Sequence, residues 1–288
     1  MVEGILNIDK PAGMTSHDVV GRVRRVAGMR RVGHSGTLDP SATGVLVVCL
    51  GRATRLVEYI VGRPKTYCGI IRLGQTTDSY DADGQVLSEK PVPELTAENI
   101  ESLLEQFKGD ILQIPPMVSA IKKDGKKLYE LARQGITIER PPRPVTIYQL
   151  DLLDVNLPEL TVRIQCSAGT YIRSIAYDLG ELLGCGGHLA GLRREQVGEF
   201  GLDLSVPLNS LTSENIQTYL QRPELAVSHL PRLEVTLDEE IDLLHGKLIS
   251  QQSKTEDGTL MQTFNPSGRF IGLVTAQGNY WKAKKMFQ

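Results

Sequence analysis

Gly33-His34-Ser35-Gly36-Thr37-Leu38-Asp39-Pro40-Ser41-Ala42-Thr43-Gly44, running directly into Val45-Leu46-Val47-Val48-Cys49-Leu50, is the stretch from which the rest of the chain can be read. Its first part carries three Gly, one Pro and four small hydroxyl residues, the composition of a loop. Its second part is an unbroken apolar run of strand length, which reads as a buried strand. Asp39 therefore sits between Leu38 and Pro40 in a loop that leads into the core. A carboxylate held on a rigid turn can serve as a nucleophile or general base. The ordinary alternative is a turn aspartate that bonds its own backbone, and the residues alone favour it.

Upstream, Gly4-Ile5-Leu6-Asn7-Ile8 is strand-prone and Lys10-Pro11-Ala12-Gly13 breaks it. Thr15 or Ser16 can then cap a helix whose apolar stripe is Val19, Val20, Val23 and Val26. Arg22, Arg24, Arg25, Arg30 and Arg31 occupy the rest of that helix and the segment after it. Downstream, the expected elements are a helix over Gly51 to Ile60, a strand over Lys65 to Leu73, an acidic turn over Thr76 to Gly84 and a helix over Thr96 to Phe107. Ile114 to Met117 is extended, Lys127 to Gln134 helical, and the Pro-rich Arg140 to Pro144 cannot be helix. Strands over Val145 to Val155 and Leu160 to Ser167 and a helix over Arg173 to Leu183 follow. This alternation predicts a mixed α+β sheet. From about Arg232 the pieces are short strands separated by turns, which read as a small β-barrel or β-ribbon module.

At 288 residues, with 41% hydrophobic and 23% charged residues, the composition is that of an ordinary soluble globular protein. No apolar run approaches the length that spans a bilayer, and Met-Val-Glu-Gly-Ile-Leu does not read as a signal peptide. Cys49, Cys68, Cys166 and Cys185 form no C-x-x-C pair, so a cytosolic protein without disulfides is expected. Cys185 and His188 fall short of a closed metal shell, and no metal is expected. The net charge of -2 hides segregation: residues 1–60 hold eight Lys/Arg against five Asp/Glu, 120–145 seven against three, and 76–110 two against nine. Such basic segments can build a local anion-binding surface, or can simply be solvated faces.

Aromatic residues are scarce, at 5%. Tyr67 and Tyr171 could each stack on a nucleobase, or pack in the core with a satisfied hydroxyl. His34 is more ordinarily a structural loop donor than a catalyst. Arg173, two residues after Tyr171, would share its side of a strand. Asp81 could pair with Asp39 as glycosidases pair carboxylates, if the separation suited. Read without reference to any family, the chain is a two-part α+β protein with some basic surface.

Taken together, the segments resemble the TruB family of pseudouridine synthases. The matching motifs are Gly4 to Ser16, Val32 to Leu46, Lys65-Thr66-Tyr67, Leu73 to Asp78, Asp81 to Gly84, Pro115 to Lys122, Lys127 to Arg133, Ser167 to Ser174 and His188 to Arg194, in that order. Ser35 stands where Thr is common, and Arg55 where Lys is frequent. The resemblance covers about the first four-fifths of the chain. A weaker likeness to a PUA-type RNA-binding module lies in Leu243-Leu244-His245-Gly246-Lys247 and the closing β-ribbon.

The resemblance implies a largely antiparallel central sheet flanked by helices in a catalytic domain over residues 1–230. It further implies a basic thumb-like insertion at about 115–145 and a small β-barrel-like PUA-type domain over 231–288. The implied activity is isomerisation of uridine 55 in the TΨC arm of tRNA to pseudouridine, by base flipping and covalent catalysis, in the cytoplasm. Asp39 would attack the uridine at the ring or the sugar, and Tyr67 would stack on the extruded base. Arg173 would pair with Asp39 and lower its pKa, with Tyr171 packed against the pair. His34 would support the flipped nucleotide, Leu192 would close the pocket floor, and Asp81 would join the surrounding hydrogen bonds. No cofactor, metal, guide RNA or membrane is implied, and a monomer is expected. The competing readings are a guide-RNA-dependent relative, an RNA-folding chaperone, and a glycosidase built on Asp39 and Asp81.

Overall fold

The computed structural model describes residues 2–119, 121–123, 125–132 and 134–287, apart from the side chains of Lys122, Lys123, Lys126 and Lys127. The basic run Lys122 to Lys127 therefore has no described lysine side chain, and Ala120 and Arg133 of the matching motifs lie outside the described residues.

The strand Thr43–Leu50 explains its own sequence. Val45, Val47 and Cys49 face one core, while Leu46, Val48 and Leu50 face another. A strand covered on both faces reads as a continuous apolar run rather than an alternation. On one side lies the helix Ser16–Ala27, which buries Val19, Val20 and Val23. Thr15 is its N-cap, in a capping box with Asp18, an arrangement worth about 1 kcal/mol. Ser16, the other candidate cap, has a different role, described below.

Thr43–Leu50 lies within a ten-stranded sheet. Its main path runs Val206–Pro207, Gly4–Lys10, Thr43–Leu50, Gly187–Val197, Lys65–Leu73, Glu159–Cys166, Arg143–Asn156 and Gly109–Gln113, with Val32–His34 and Phe200–Gly201 paired off it. The pairings are antiparallel except Gly4–Lys10 with Val206–Pro207 and Thr43–Leu50 with Gly187–Val197. The sheet is thus mixed and largely antiparallel, as expected. Helices Ala97–Leu104 and Ile172–Leu182 cover the far half, over a core that includes Ile71, Leu104, Ile164, Ile175 and Leu189. The expected Gly51 to Ile60 helix is a 3-10 segment, Gly51–Leu56, followed by a short α-helix, Val57–Val61. The expected Lys127 to Gln134 helix is shorter, Leu128–Ala132.

A second, five-stranded sheet has the order Arg232–Glu234, Leu260–Phe264, Phe270–Gln277, Tyr280–Met286, Ile249–Ser250. It does not stand apart. Phe264, Phe270, Leu273 and Phe287 join Ile5, Val45 and Val47 in one apolar cluster, so this small sheet supplies the second cover of Thr43–Leu50. Among the described residues no helix is long and apolar enough to cross a membrane.

The halves of the large sheet meet at a short parallel contact, Arg193 with Thr43 and Arg194 with Gly44. Gly44 has φ +97, and a Cβ there would stand 2.2 Å from the Arg194 carbonyl oxygen. Only glycine fits so close an approach in that conformation. Gly44→Ala is expected to destabilise the fold by about 1–3 kcal/mol, seen as a lower midpoint in denaturant unfolding. An unchanged midpoint would mean that the seam between the halves is not under this constraint.

Candidate active site

The loop that carries Asp39 is held through its backbone from several sides. The Ser16 hydroxyl accepts from Leu38 N at 2.9 Å and lies 3.2 Å from Leu38 O, to which it donates. Gly13 N donates to Pro40 O at 2.9 Å. The Lys10 ammonium has no exposure, and it donates to Pro40 O at 3.1 Å, Ala42 O at 2.6 Å and Pro11 O at 2.9 Å. From the seam, Arg194 is also buried, donating to Val45 O at 2.7 Å, Gly36 O at 3.2 Å and Thr37 O at 3.5 Å. Buried cations whose donors go to loop carbonyls leave the loop little freedom. Burial pulls the Lys10 pKa below its usual value, partly countered by the nearby Asp39 carboxylate.

Asp39 projects from this frame with its side chain 43% exposed. Its Oδ2 lies 3.2 Å from Arg173 Nη2. Arg173 is itself buried and divided: Nη1 is 3.0 Å from Asp81 Oδ2 and donates to Ser79 O at 3.3 Å, and Nη2 donates to Val118 O at 2.8 Å. Asp81, expected only as part of a surrounding network, is a direct partner of Arg173. Its other oxygen, Oδ1, accepts from the Ser79 hydroxyl at 2.5 Å and from Asp83 N at 3.1 Å.

Two expectations need correction. Tyr171 and Arg173 do not share one side of a strand. Tyr171 is the residue before the helix Ile172–Leu182, and Arg173 lies in its first turn. The Gln113 amide clamps the Tyr171 backbone from both directions, accepting from its N at 2.7 Å and donating to its O at 3.0 Å. The second correction is electrostatic. Arg173 does pull the Asp39 pKa down, but the net displacement is upward from 3.8. Desolvation in the surrounding protein is the largest influence, and Asp81 and Asp83 add like charge. One guanidinium shared between carboxylates does not outweigh that.

Tyr67 is buried at 7% exposure, and burial raises its phenol pKa against the opposing pull of the nearby Arg194 guanidinium. Tyr171 is half-buried, and burial likewise raises its phenol pKa. Both phenols lie within electrostatic reach of Asp39. Leu192 packs at the edge of the core that contains Leu38, Tyr67 and Ile172. His34 stands at the start of the loop, edge-on to His17 with ring centroids 5.4 Å apart. Burial lowers its pKa, and its buried Nδ1 has no protein partner. Cys185 and His188 turn instead to the carbonyls of Gly186 and Gln75.

Sequence reasoning missed Lys10, Ser16, Gln113 and Arg194 as site residues. The matching motifs contain Lys10, Ser16 and Arg194, but no local pattern marks a side chain whose partners are backbone atoms of a remote loop. Gln113 carried no signal, being one polar residue on an edge strand.

The Asp39 carboxylate, paired to a buried arginine, thus lies at the seam of a mixed sheet. Residues 24–172 match the model of the TruB family pseudouridylate synthase N-terminal domain, and residues 173–233 that of the tRNA pseudouridylate synthase B C-terminal domain. The chain belongs to the TruB family, and it is a pseudouridine synthase, an isomerase. It is 45% identical to the tRNA pseudouridine synthase B of Dehalococcoides mccartyi strain BAV1, over 99% of this chain and 97% of that one. It is 42% identical to that of Clostridium kluyveri, over 99% and 100%. Among solved structures it resembles a chain of a Cbf5-Nop10-Gar1 complex at 26% identity, covering 99% of this chain and 85% of that one, with a TM-score of 0.78. An archaeal box H/ACA Nop10-Cbf5 complex aligns at 25% identity, over 99% and 86%, with a TM-score of 0.75.

Lys10→Met keeps a stem of similar length and removes the donors to Pro40 and Ala42. Each carbonyl left without a partner costs about 1–3 kcal/mol, so the thermal midpoint is expected to fall and single-turnover catalysis to slow. A variant with full rate and an unmoved midpoint would show that the loop is held without Lys10.

Proposed function

We propose that this enzyme converts uridine 55 of the tRNA T arm to pseudouridine, with Asp39 as covalent catalyst and without a guide RNA. The observation that carries the reading is the Asp39 carboxylate itself, fixed by backbone bonds on both sides, paired to Arg173 at 3.2 Å and still open to approach. The relatives at 42–45% identity that are named tRNA pseudouridine synthase B favour tRNA as the substrate. The likeness to guide-RNA assemblies is in fold and at lower identity.

The target base must leave its stack, at a cost of a few kcal/mol. Stacking against the Tyr67 ring offsets about 1–3 kcal/mol of that. Asp39 attacks the ring or the sugar C1′, the C1′–N1 bond breaks, the base turns and C1′ bonds to C5; the bond to Asp39 then breaks to restore the carboxylate, C5 gives up its proton and N1 takes one. Nothing is gained or lost overall. Arg173 orients the nucleophile, Tyr171 packs against the pair, Leu192 lines the floor, and His34 supports the displaced nucleotide. The glycosidase reading is disfavoured because Asp39 and Asp81 are bound to one guanidinium, which leaves Asp81 occupied rather than free as an acid.

We assign residues 1–230 to catalysis and 231–288 to a PUA-like RNA-binding module, and place the enzyme in the cytoplasm as a monomer. Arg24, Arg25, Arg30 and Arg31 are exposed along and beyond the helix that starts at the catalytic loop, a surface suited to phosphates.

Asp39→Asn is expected to abolish pseudouridine formation in an unmodified T-arm stem-loop while leaving RNA binding intact. Product from the variant would overturn the mechanism, and no product from the native protein despite binding would favour the chaperone reading. Catalysis needs the ionised carboxylate, so it is present at higher pH and lost as pH falls through the Asp39 pKa. Because that pKa is raised, the acid limb of the single-turnover rate should lie above the 3.8 of an ordinary aspartate. A limb at or below it would contradict the shielding. Affinity should fall with salt at a log–log slope of about -0.7 to -0.9 per phosphate contact, and Arg24→Ala with Arg25→Ala should flatten it. A slope unchanged in the double variant would move the phosphate contacts elsewhere.

A further inference from the structure

Among the described residues, Tyr80 is the one non-glycine with a left-handed backbone, at φ 64. A side chain there costs about 1–2 kcal/mol relative to glycine, so the ring must be doing something that glycine could not. It lies flat on Tyr177, with centroids 4.0 Å apart and planes inclined by 18°. Tyr177 sits one turn beyond Arg173 on the helix Ile172–Leu182, so ring and guanidinium occupy neighbouring positions on one face. The acidic loop answers them with consecutive residues: the Tyr80 ring meets Tyr177, and the Asp81 carboxylate meets Arg173 at 3.0 Å. The backbone on either side is tied to the neighbouring strand, Leu189 N donating to Tyr80 O at 3.0 Å and Ala82 N to Leu189 O at 3.1 Å. Successive side chains of an extended chain point to opposite faces. The left-handed turn lets both of these reach the same helix.

We propose that the Tyr80–Tyr177 stack is a positioning device that sets how Arg173 is divided between Asp81 and Asp39, and so tunes the nucleophile from behind. This rests on Asp39 as the catalyst. The groups facing Asp39 are Arg173 from the helix, Asp81 and Asp83 from the acidic loop, Lys10 from the first strand, and the Tyr67 and Tyr171 phenols. Of these, Asp81 is the one whose placement the stack governs. If the ring is lost, Asp81 loosens from Arg173, the guanidinium turns to Asp39, and the like charge beside Asp39 recedes. The carboxylate becomes less basic and a weaker nucleophile.

The test is the pH dependence of single-turnover pseudouridine formation on the T-arm stem-loop, with RNA affinity measured alongside. Tyr80→Phe keeps the stacked ring and should keep the rate. Tyr80→Gly relieves the backbone and removes the ring. It should slow the step on the order of tenfold, leave affinity unchanged and move the acid limb to lower pH. Tyr177→Leu should do the same, and the double variant should go no further. A Tyr80→Gly enzyme with full rate, or a slow one whose acid limb has not moved, would overturn the proposal. Asp39→Asn runs in parallel: an active Asp39→Asn would overturn the catalyst assignment instead, whereas an inactive one beside a normal Tyr80→Gly would remove only the role of the stack.

Discussion

A buried guanidinium cannot be left alone, and the site is organised around that constraint. Arg173 has a side chain only 6% exposed. Breaking a buried ion pair by removing one partner costs about 3–5 kcal/mol, so partners must be brought to it from wherever the chain can supply them. They come from the Asp39 loop, from the acidic loop through Asp81 and Ser79, and from the segment after the edge strand Gly109–Gln113 through Val118. Segments distant in sequence therefore converge on the first turn of one helix. The same convergence leaves the Asp39 carboxylate held at the seam with one side open to solvent.

The second organising feature is that the Asp39 loop is gripped by its main chain. Lys10, Ser16, Gly13 and Arg194 bond carbonyls and amides between Gly36 and Val45 rather than the Asp39 side chain. The carboxylate keeps its one strong partner and an open side. Fixing the backbone in advance removes orientational freedom before substrate arrives, and proximity of this kind can supply several kcal/mol of a barrier. The arrangement also accounts for the raised Asp39 pKa: the mass of protein that holds the loop displaces the water that would stabilise the charge.

The small C-terminal sheet is joined to this frame by packing. By covering the second face of Thr43–Leu50 through Phe264, Phe270 and Phe287, it stabilises the strand that leaves the Asp39 loop. A weak net charge is compatible with an RNA enzyme because the cations are sorted. Some are buried and hold the loop, as Lys10 and Arg194 do, while Arg24, Arg25, Arg30 and Arg31 lie on the surface.

What the sequence determined by itself was local. The apolar run Val45 to Leu50 read as a buried strand, the valines of the first helix marked its inner face, and the short strands after Arg232 read as a small β module, which is a five-stranded sheet. Burial and capping are written in residue type and spacing, which is why these were legible. Asp39, Tyr67, Tyr171 and Arg173 stood out through their motifs, since the residues alone favoured ordinary structural roles. Tertiary structure decided the rest. It placed Tyr171 before a helix and not on a strand, divided the work of Thr15 and Ser16 between a cap and a clamp, and turned Lys10, Gln113 and Arg194 into supports of remote backbone. It also reversed the expected direction of the Asp39 pKa. These are sums over groups far apart in sequence, in which desolvation competes with charge, and no local pattern encodes such a sum.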